Sequence, residues 1–172
     1  MKIVFLRHAT RSTQGLGDSA LNQTGLIQAA NLPDLLVPRG PLPLPLQLYS
    51  SPRKRAQQTL GPLAAHTQVP IEVDMRLDER QQNESATDFE KRVLAMIGLL
   101  EDLATAAPEN STGAIYVCTH LDWLEAGMQL LHSDMRDTEI YHNWSAAEFR
   151  IFKVHEGLWQ SKERGLTPTH QI

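Results

Sequence analysis

Short apolar, β-rich runs alternate with segments of helical spacing along the whole chain, and this alternation is the strongest constraint on its fold. Lys2 to Leu6 is apolar and partly β-branched, as expected of a strand buried on both faces. Asn22 can cap a helix running to Leu32, whose apolar face is Leu26, Ala29 and Ala30. Gln47 to Tyr49 forms a second strand. A helix follows, with Pro52 in its first turn, continuing over Ala56 to Ala65, where Pro62 can bend it. Val69 to Val73 makes a third strand. Phe89, Val93, Met96, Ile97, Leu100 and Leu103 mark a long amphipathic helix over about 87–106. Gly113 to Cys118 is a fourth strand and Asp122 to Leu131 a further helix. Ala147 to Val154 with Leu158-Trp159 suggests a closing antiparallel pair, and the stretch 162–172 reads as a polar tail that frays. The order predicts an α/β three-layer sandwich, its mainly parallel sheet flanked by helices.

Two stretches fall outside the alternation. Thr10 to Ser19, with Gly15 and Gly17, is a loop. The run from Pro33 to Pro45 is too rich in proline to be helical throughout. A domain boundary there would leave the first strand and helix without a core, so residues 1–172 are read as one domain.

In parallel sheets ligands bind beyond the carboxyl ends of the strands. Three predicted strands end in polar groups: Arg7-His8, Ser50 to Arg55, and Thr119-His120. The topology therefore brings two imidazoles and several guanidinium groups to one rim, where they suit an oxyanion. Composition supports a site built by geometry and not by bulk charge. The formal net charge is −4, which disfavours nonspecific binding to nucleic acid or to an anionic membrane. The single Cys118 ends an apolar run and is expected to be a buried strand thiol in a reducing compartment. Between Lys2 and Arg7 stand only four apolar residues, short of a signal-peptide core, and no stretch approaches a membrane span, so the cytoplasm is the expected location.

Several motifs, in order, resemble the histidine phosphatase superfamily, the phosphoglycerate mutase-like proteins. Leu6-Arg7-His8 resembles the family's L-R-H-G opening, and Asp18 to Gly25 is similar to its D-x-x-L-T-x-x-G segment. Tyr49-Ser50-Ser51-Pro52 through Thr59 follows its Y-S-S-P-x-x-R-A-x-Q-T run; Leu77-x-Glu79, Glu84-Ser85 and Val117-x-Thr119-His120 match later elements. The resemblance implies a phosphoglycerate mutase-like fold and a metal-independent, cofactor-free phosphatase acting on a phosphorylated small molecule or a phosphoprotein. It implies that His8 attacks phosphorus and becomes a phosphohistidine, while Arg7, Arg55 and His120 hold the transferring oxygens; a charged His120 is expected to join the two arginines in depressing the His8 pKa. Glu79 is the candidate proton donor to the leaving group and later the base for water, with Asp78 and Glu84 as substitutes. Arg11, Gln14, Thr119 and Leu121 are the expected substrate-binding positions.

Physical chemistry supports that division of labour. Phosphoryl transfer is catalysed mainly by alignment and preorganised positive charge, which guanidinium forks supply. A nucleophilic imidazole must be neutral, with its second nitrogen donating to a fixed acceptor. Nearby cations keep it so by lowering its pKa.

Departures from the family pattern narrow the reading. Ala9 and Thr10 replace a frequent Gly and Glu, Gln14 replaces a frequent Asn, and Leu121 follows His120 as in the compact phosphohistidine phosphatase branch. Only 40 residues separate Glu79 from His120, leaving no room for the capping insertion of the mutases. Hydrolysis is therefore favoured over a mutase-type transfer. Two further functions compete with it: a catalytically weak phosphate-binding domain, and a metallohydrolase using His8, His120 and Asp122. Oligomeric state is not legible.

Overall fold

A computed structural model describes residues 1–13, 17–108 and 110–171. The described elements are β1 (Lys2–Arg7), α1 (Gln23–Asn31), β2 (Pro45–Ser50), α2 (Lys54–Thr67), β3 (Ile71–Val73), α3 (Ala86–Ala106), β4 (Ala114–Thr119), α4 (Leu121–Leu130), α5 (Asp137–Ile140), β5 (Glu148–His155) and β6 (Leu158–Leu166). They form one six-stranded sheet in the order β3-β2-β4-β1-β5-β6. The first four strands are mutually parallel, and β5 and β6 are antiparallel. Helices cover both faces, giving the expected three-layer α/β sandwich. None of the described helices is long and apolar enough to cross a membrane.

The alternation of side chains along β1 builds both cores at once. Ile3 and Phe5 point into a cluster with Val93 and Met96 of α3 and Trp123 of α4. Val4 and Leu6 point the other way, into a cluster with Leu32, Leu60 and Leu63 on the side of α1 and α2. Phe5 lies 5.8 Å from the Trp123 ring and 5.7 Å from that of Trp159, so the first strand is held by aromatic packing as well as by hydrogen bonds.

Three details differ from what the sequence predicts. Of the expected inner face of α1 only Ala29 is buried: Leu26 is exposed, and Gly25, Gln28 and Asn31 take the inward positions. Helix α2 runs through Pro62 as expected, because Ala56, Thr59, Leu60 and Leu63 on its inner face are fully buried and outweigh one missing hydrogen bond. It starts at Lys54, two residues after Pro52, and Asp18 caps it from a distant loop: both carboxylate oxygens accept the Lys54 N–H at 3.0 Å. The stretch from residue 162 is not a frayed tail. Strand β6 pairs with β5 as far as Leu166, the Thr167 N–H donates to the Ala147 carbonyl, and Asn31 Nδ2 donates to the carbonyls of Pro168 and His170.

Because β4 lies between β1 and β2, its carboxyl end meets both neighbours at one level. The His8 N–H donates to the Thr119 carbonyl and the Ser51 N–H to the Cys118 carbonyl, each at 3.0 Å. The backbone beyond β1 is fixed by a close approach. A Cβ on Gly25 would stand 2.0 Å from the Thr10 carbonyl oxygen, so α1 can pack under this loop only with glycine there. Gly25→Ala is expected to cost about 1–3 kcal/mol, measured as a lower urea midpoint with unchanged m-value.

Candidate active site

His8 leaves the end of β1 almost fully buried. Its Nδ1 lies 2.8 Å from the Ala9 carbonyl oxygen, which can only accept, so Nδ1 carries the proton. The Nε2 lone pair is thereby exposed to the cleft, where Arg55 Nε donates to it at 3.3 Å. Burial, with the guanidinium groups of Arg55 and Arg7 adding to it, pushes the His8 pKa down to about 4. A neutral, oriented imidazole at neutral pH is what a nucleophile at phosphorus requires.

Around it the other side chains arrive from separate elements. Arg55, on the first turn of α2, is 2% exposed and makes three contacts besides the one to His8. Its Nη2 lies 2.5 Å from Glu79 Oε2 and 3.2 Å from His120 Nδ1, and its Nη1 lies 3.6 Å from Asp18 Oδ1. Guanidinium nitrogens donate only, so His120 Nδ1 is the acceptor. His120 Nε2 then holds the proton and donates to Ser51 Oγ at 2.6 Å. Burial, followed by the charge of Arg55, lowers the His120 pKa to about 2. His120 is therefore neutral here, and not charged as expected from sequence; desolvation beside a fixed cation is the reason. An arriving phosphate dianion would favour its protonation, making Nδ1 a donor.

Arg7 closes another side. Its Nη1 donates to the Trp144 carbonyl, while its buried Nε has no partner among the described residues. Nε and Nη2 form the edge of the guanidinium away from that contact, the donor pair that a bidentate oxyanion would use. Glu79 stands at the mouth, its side chain 37% exposed, with Oε1 3.4 Å from Arg53 Nε. Arg53, which the sequence motifs leave without a role, ties down Asp78 at 2.7 Å, and Asp78 Oδ1 in turn accepts the Glu79 N–H at 2.9 Å. Asp78 and Arg53 thereby set the backbone from which Glu79 projects.

Arg7, His8, Arg55, Glu79 and His120 line a common cleft of about 250 Å³, joined on its rim by Arg11, Leu121, Asp122 and Glu125. The five catalytic candidates therefore converge. Among the expected substrate-binding positions, Arg11 and Leu121 reach the cleft. Thr119 does not: fully buried, it spends its hydroxyl on the Leu77 carbonyl at 2.6 Å. Gln14 lies outside the described residues. A metallohydrolase finds little support in the donor set. Among the described residues no three His, Cys, Asp or Glu could hold a metal ion, and Asp122 accepts from the Arg80 and Trp123 N–H groups. Ser51, Asp18 and the Trp144 carbonyl join the site without a role assigned from sequence; Ser51 carries a signal in its place before Pro52 at a strand end, and Asp18 in opening the D-x-x-L-like segment.

Comparison with known proteins points the same way. Residues 3–83 match the family model of the histidine phosphatase superfamily (branch 1). No curated protein sequence matches the chain. Among solved structures it is similar to the protein histidine phosphatase SixA complexed with tungstate, 16% identical, with 95% of this chain and 96% of the other covered at a TM-score of 0.69. A mycobacterial glucosyl-3-phosphoglycerate phosphatase is 19% identical, with 93% and 96% covered at a TM-score of 0.70. A protein described as mycobacterial hydrolase 1 gives 18% identity, 97% and 98% coverage and a TM-score of 0.74. These likenesses establish the phosphoglycerate mutase-like fold.

Proposed function

We propose that this chain, whose residues 3–83 match the branch 1 model of the histidine phosphatase superfamily, is a metal-independent phosphatase working through a phosphohistidine. The observation that carries the reading is the state of His8: neutral, held through Nδ1 on the Ala9 carbonyl, with Nε2 facing a cation-lined cleft. In the first step Nε2 forms a bond to phosphorus as the bond to the leaving oxygen breaks, and Glu79 gives that oxygen a proton. In the second, Glu79 takes a proton from water, the water oxygen bonds to phosphorus, and the phosphorus–nitrogen bond breaks to restore neutral His8. Arg7, Arg55 and His120 hold the equatorial oxygens throughout.

Hydrolysis is the favoured outcome because no cap over the cleft is found among the described residues. Helix α3 takes 21 of the residues between Glu79 and His120 and packs in the core, so that interval supplies no cap to retain a detached product. SixA and the glucosyl-3-phosphoglycerate phosphatase, as described, are likewise phosphatases. The substrate is a phosphorylated small molecule or a phosphoprotein, and the buried thiol of Cys118 fits a reducing cytoplasm. The test is phosphate release from aryl phosphates, phosphorylated metabolites and phosphohistidine peptides, with and without a chelator. Release unaffected by the chelator is expected; interconversion of phosphoglycerates without release would overturn the hydrolytic reading.

Glu79 gives a sharper result. Glu79→Gln is expected to lower kcat on alkyl phosphates by about 10²–10⁴-fold, and on p-nitrophenyl phosphate far less, because that leaving group departs without a proton. Equal losses on both substrates would remove Glu79 from the proton-transfer role.

A further inference from the structure

Outside the cleft, one buried carboxylate has an arrangement that the reaction steps above do not use. Glu148 begins β5 and is 3% exposed, yet among the described residues no guanidinium closes on it: Arg150 Nε and Arg164 Nε stand 3.9 and 3.8 Å from Oε1. Its close contacts are His142 Nε2, at 3.0 Å from Oε1, and the Ser145 N–H, which donates to Oε2 at 2.8 Å. That N–H belongs to the same peptide unit as the Trp144 carbonyl, the acceptor for Arg7 Nη1. The only cis peptide among the described residues is elsewhere, so the N–H and C=O of this unit point in opposite directions. Carboxylate, peptide and guanidinium are therefore threaded in series, negative end to N–H and carbonyl to positive end. Each polarises the next.

We propose that Glu148 is a positioning residue for Arg7, acting through the Trp144–Ser145 peptide to hold the guanidinium with its Nε–Nη2 edge toward the phosphoryl group. The geometry suits this task better than a direct ion pair would. A carboxylate touching Arg7 would compete with phosphate for the same donors, whereas a peptide between them fixes Nη1 alone and leaves the bidentate edge open. The peptide is itself anchored. The Trp144 ring is buried and lies 4.8 Å from the Arg150 guanidinium, which donates through Nη1 to the Glu139 carbonyl at 2.8 Å. The Ala147 N–H, next along the loop, donates to the His8 carbonyl, so the same loop is registered to the nucleophile's backbone.

This inference rests on Arg7 holding the phosphoryl group, and a double-mutant cycle separates the two claims. Orthovanadate affinity and kcat/KM for p-nitrophenyl phosphate are measured for wild type, Glu148→Ala, Arg7→Ala and the double variant. Glu148→Ala is expected to weaken vanadate binding about tenfold when Arg7 is present and less than about twofold when it is absent. Glu148→Gln keeps the shape and an acceptor for the Ser145 N–H, guards against a folding defect, and should recover most of the affinity. Equal losses from Glu148→Ala in both backgrounds, or no loss in either, would overturn the positioning role while leaving the phosphatase reading intact. Vanadate affinity unchanged by Arg7→Ala would overturn the role of Arg7, and the inference with it.

Discussion

His8→Ala is expected to reduce phosphate release by at least about 10⁴-fold and to abolish labelling of the protein by a phosphodonor. Among the groups lining the cleft Arg7, Arg11 and Arg55 lack a lone pair to offer; His8 Nε2 and His120 Nδ1 both accept from Arg55, and it is the resemblance of Leu6-Arg7-His8 to the family opening that assigns the attack to His8. In wild type the trapped label should survive alkali and be lost in acid, as a phosphorus–nitrogen bond requires. A His8→Ala protein that keeps one tenth of the turnover would refute the covalent route.

The same substitution has a consequence for stability. The folded pKa of His8, about 4, lies below its value of about 6.5 in an unfolded chain. Between those values the unfolded state binds a proton that the native state does not, so stability falls as pH drops from 6.5 toward 4. The loss amounts to roughly 3 kcal/mol, and His8→Ala should flatten that part of the pH–stability curve. His120 adds a decline of the same sign.

How much of this can be read from the amino acids depends on the range of the interaction involved. The strand ends carrying Arg7-His8, Ser51 and His120 are legible because a buried strand, a handover to polar residues and the parallel-sheet rule are all local or topological signals. The convergence of β1, β2 and β4 follows from them. Strand β6 is legible only in part: Gln160, Ser161, Lys162, Glu163 and Arg164 carry no apolar alternation, and their strand exists because β5 offers a partner edge. Thr119 looks like a ligand from its position beside His120, but the side chain of a residue before a strand's last turn outward can face the core, and here it meets Leu77.

Backbone acceptors and long-range caps leave less trace. The Trp144 carbonyl that receives Arg7 has no side-chain signature, and Asp18, though it opens the D-x-x-L-like segment, shows its capping role only once α2 is seen to begin above it. The charge state of His120 is hidden for a related reason. Sequence places it among cations and suggests a share in their charge, whereas the burial that disfavours that charge is a property of the packed site.

Arg55→Ala is the second large effect expected, because one guanidinium contacts His8, Glu79 and His120 at once. Removing it takes away a preorganised donor to the transferring oxygens, which alone should lower kcat/KM by about 10²–10³-fold. It also frees Glu79 from a 2.5 Å contact and His120 Nδ1 from a 3.2 Å contact, so the acid and the second imidazole lose their alignment. Its charge is among the causes that hold the His8 pKa down, after burial itself. Without Arg55 that pKa rises, His8 is protonated earlier as pH falls, and the acid limb of the kcat/KM profile moves to higher pH. Arg55→Lys should restore much of the position of this limb, since a cation is back beside Nε2, but little of the rate, since an ammonium cannot contact His8, His120 and Glu79 with one planar fork. The separation of the two effects is the informative measurement. A lysine variant that regains the full rate would mean that charge alone suffices at this position. An alanine variant with an unmoved acid limb would mean that burial alone keeps His8 neutral.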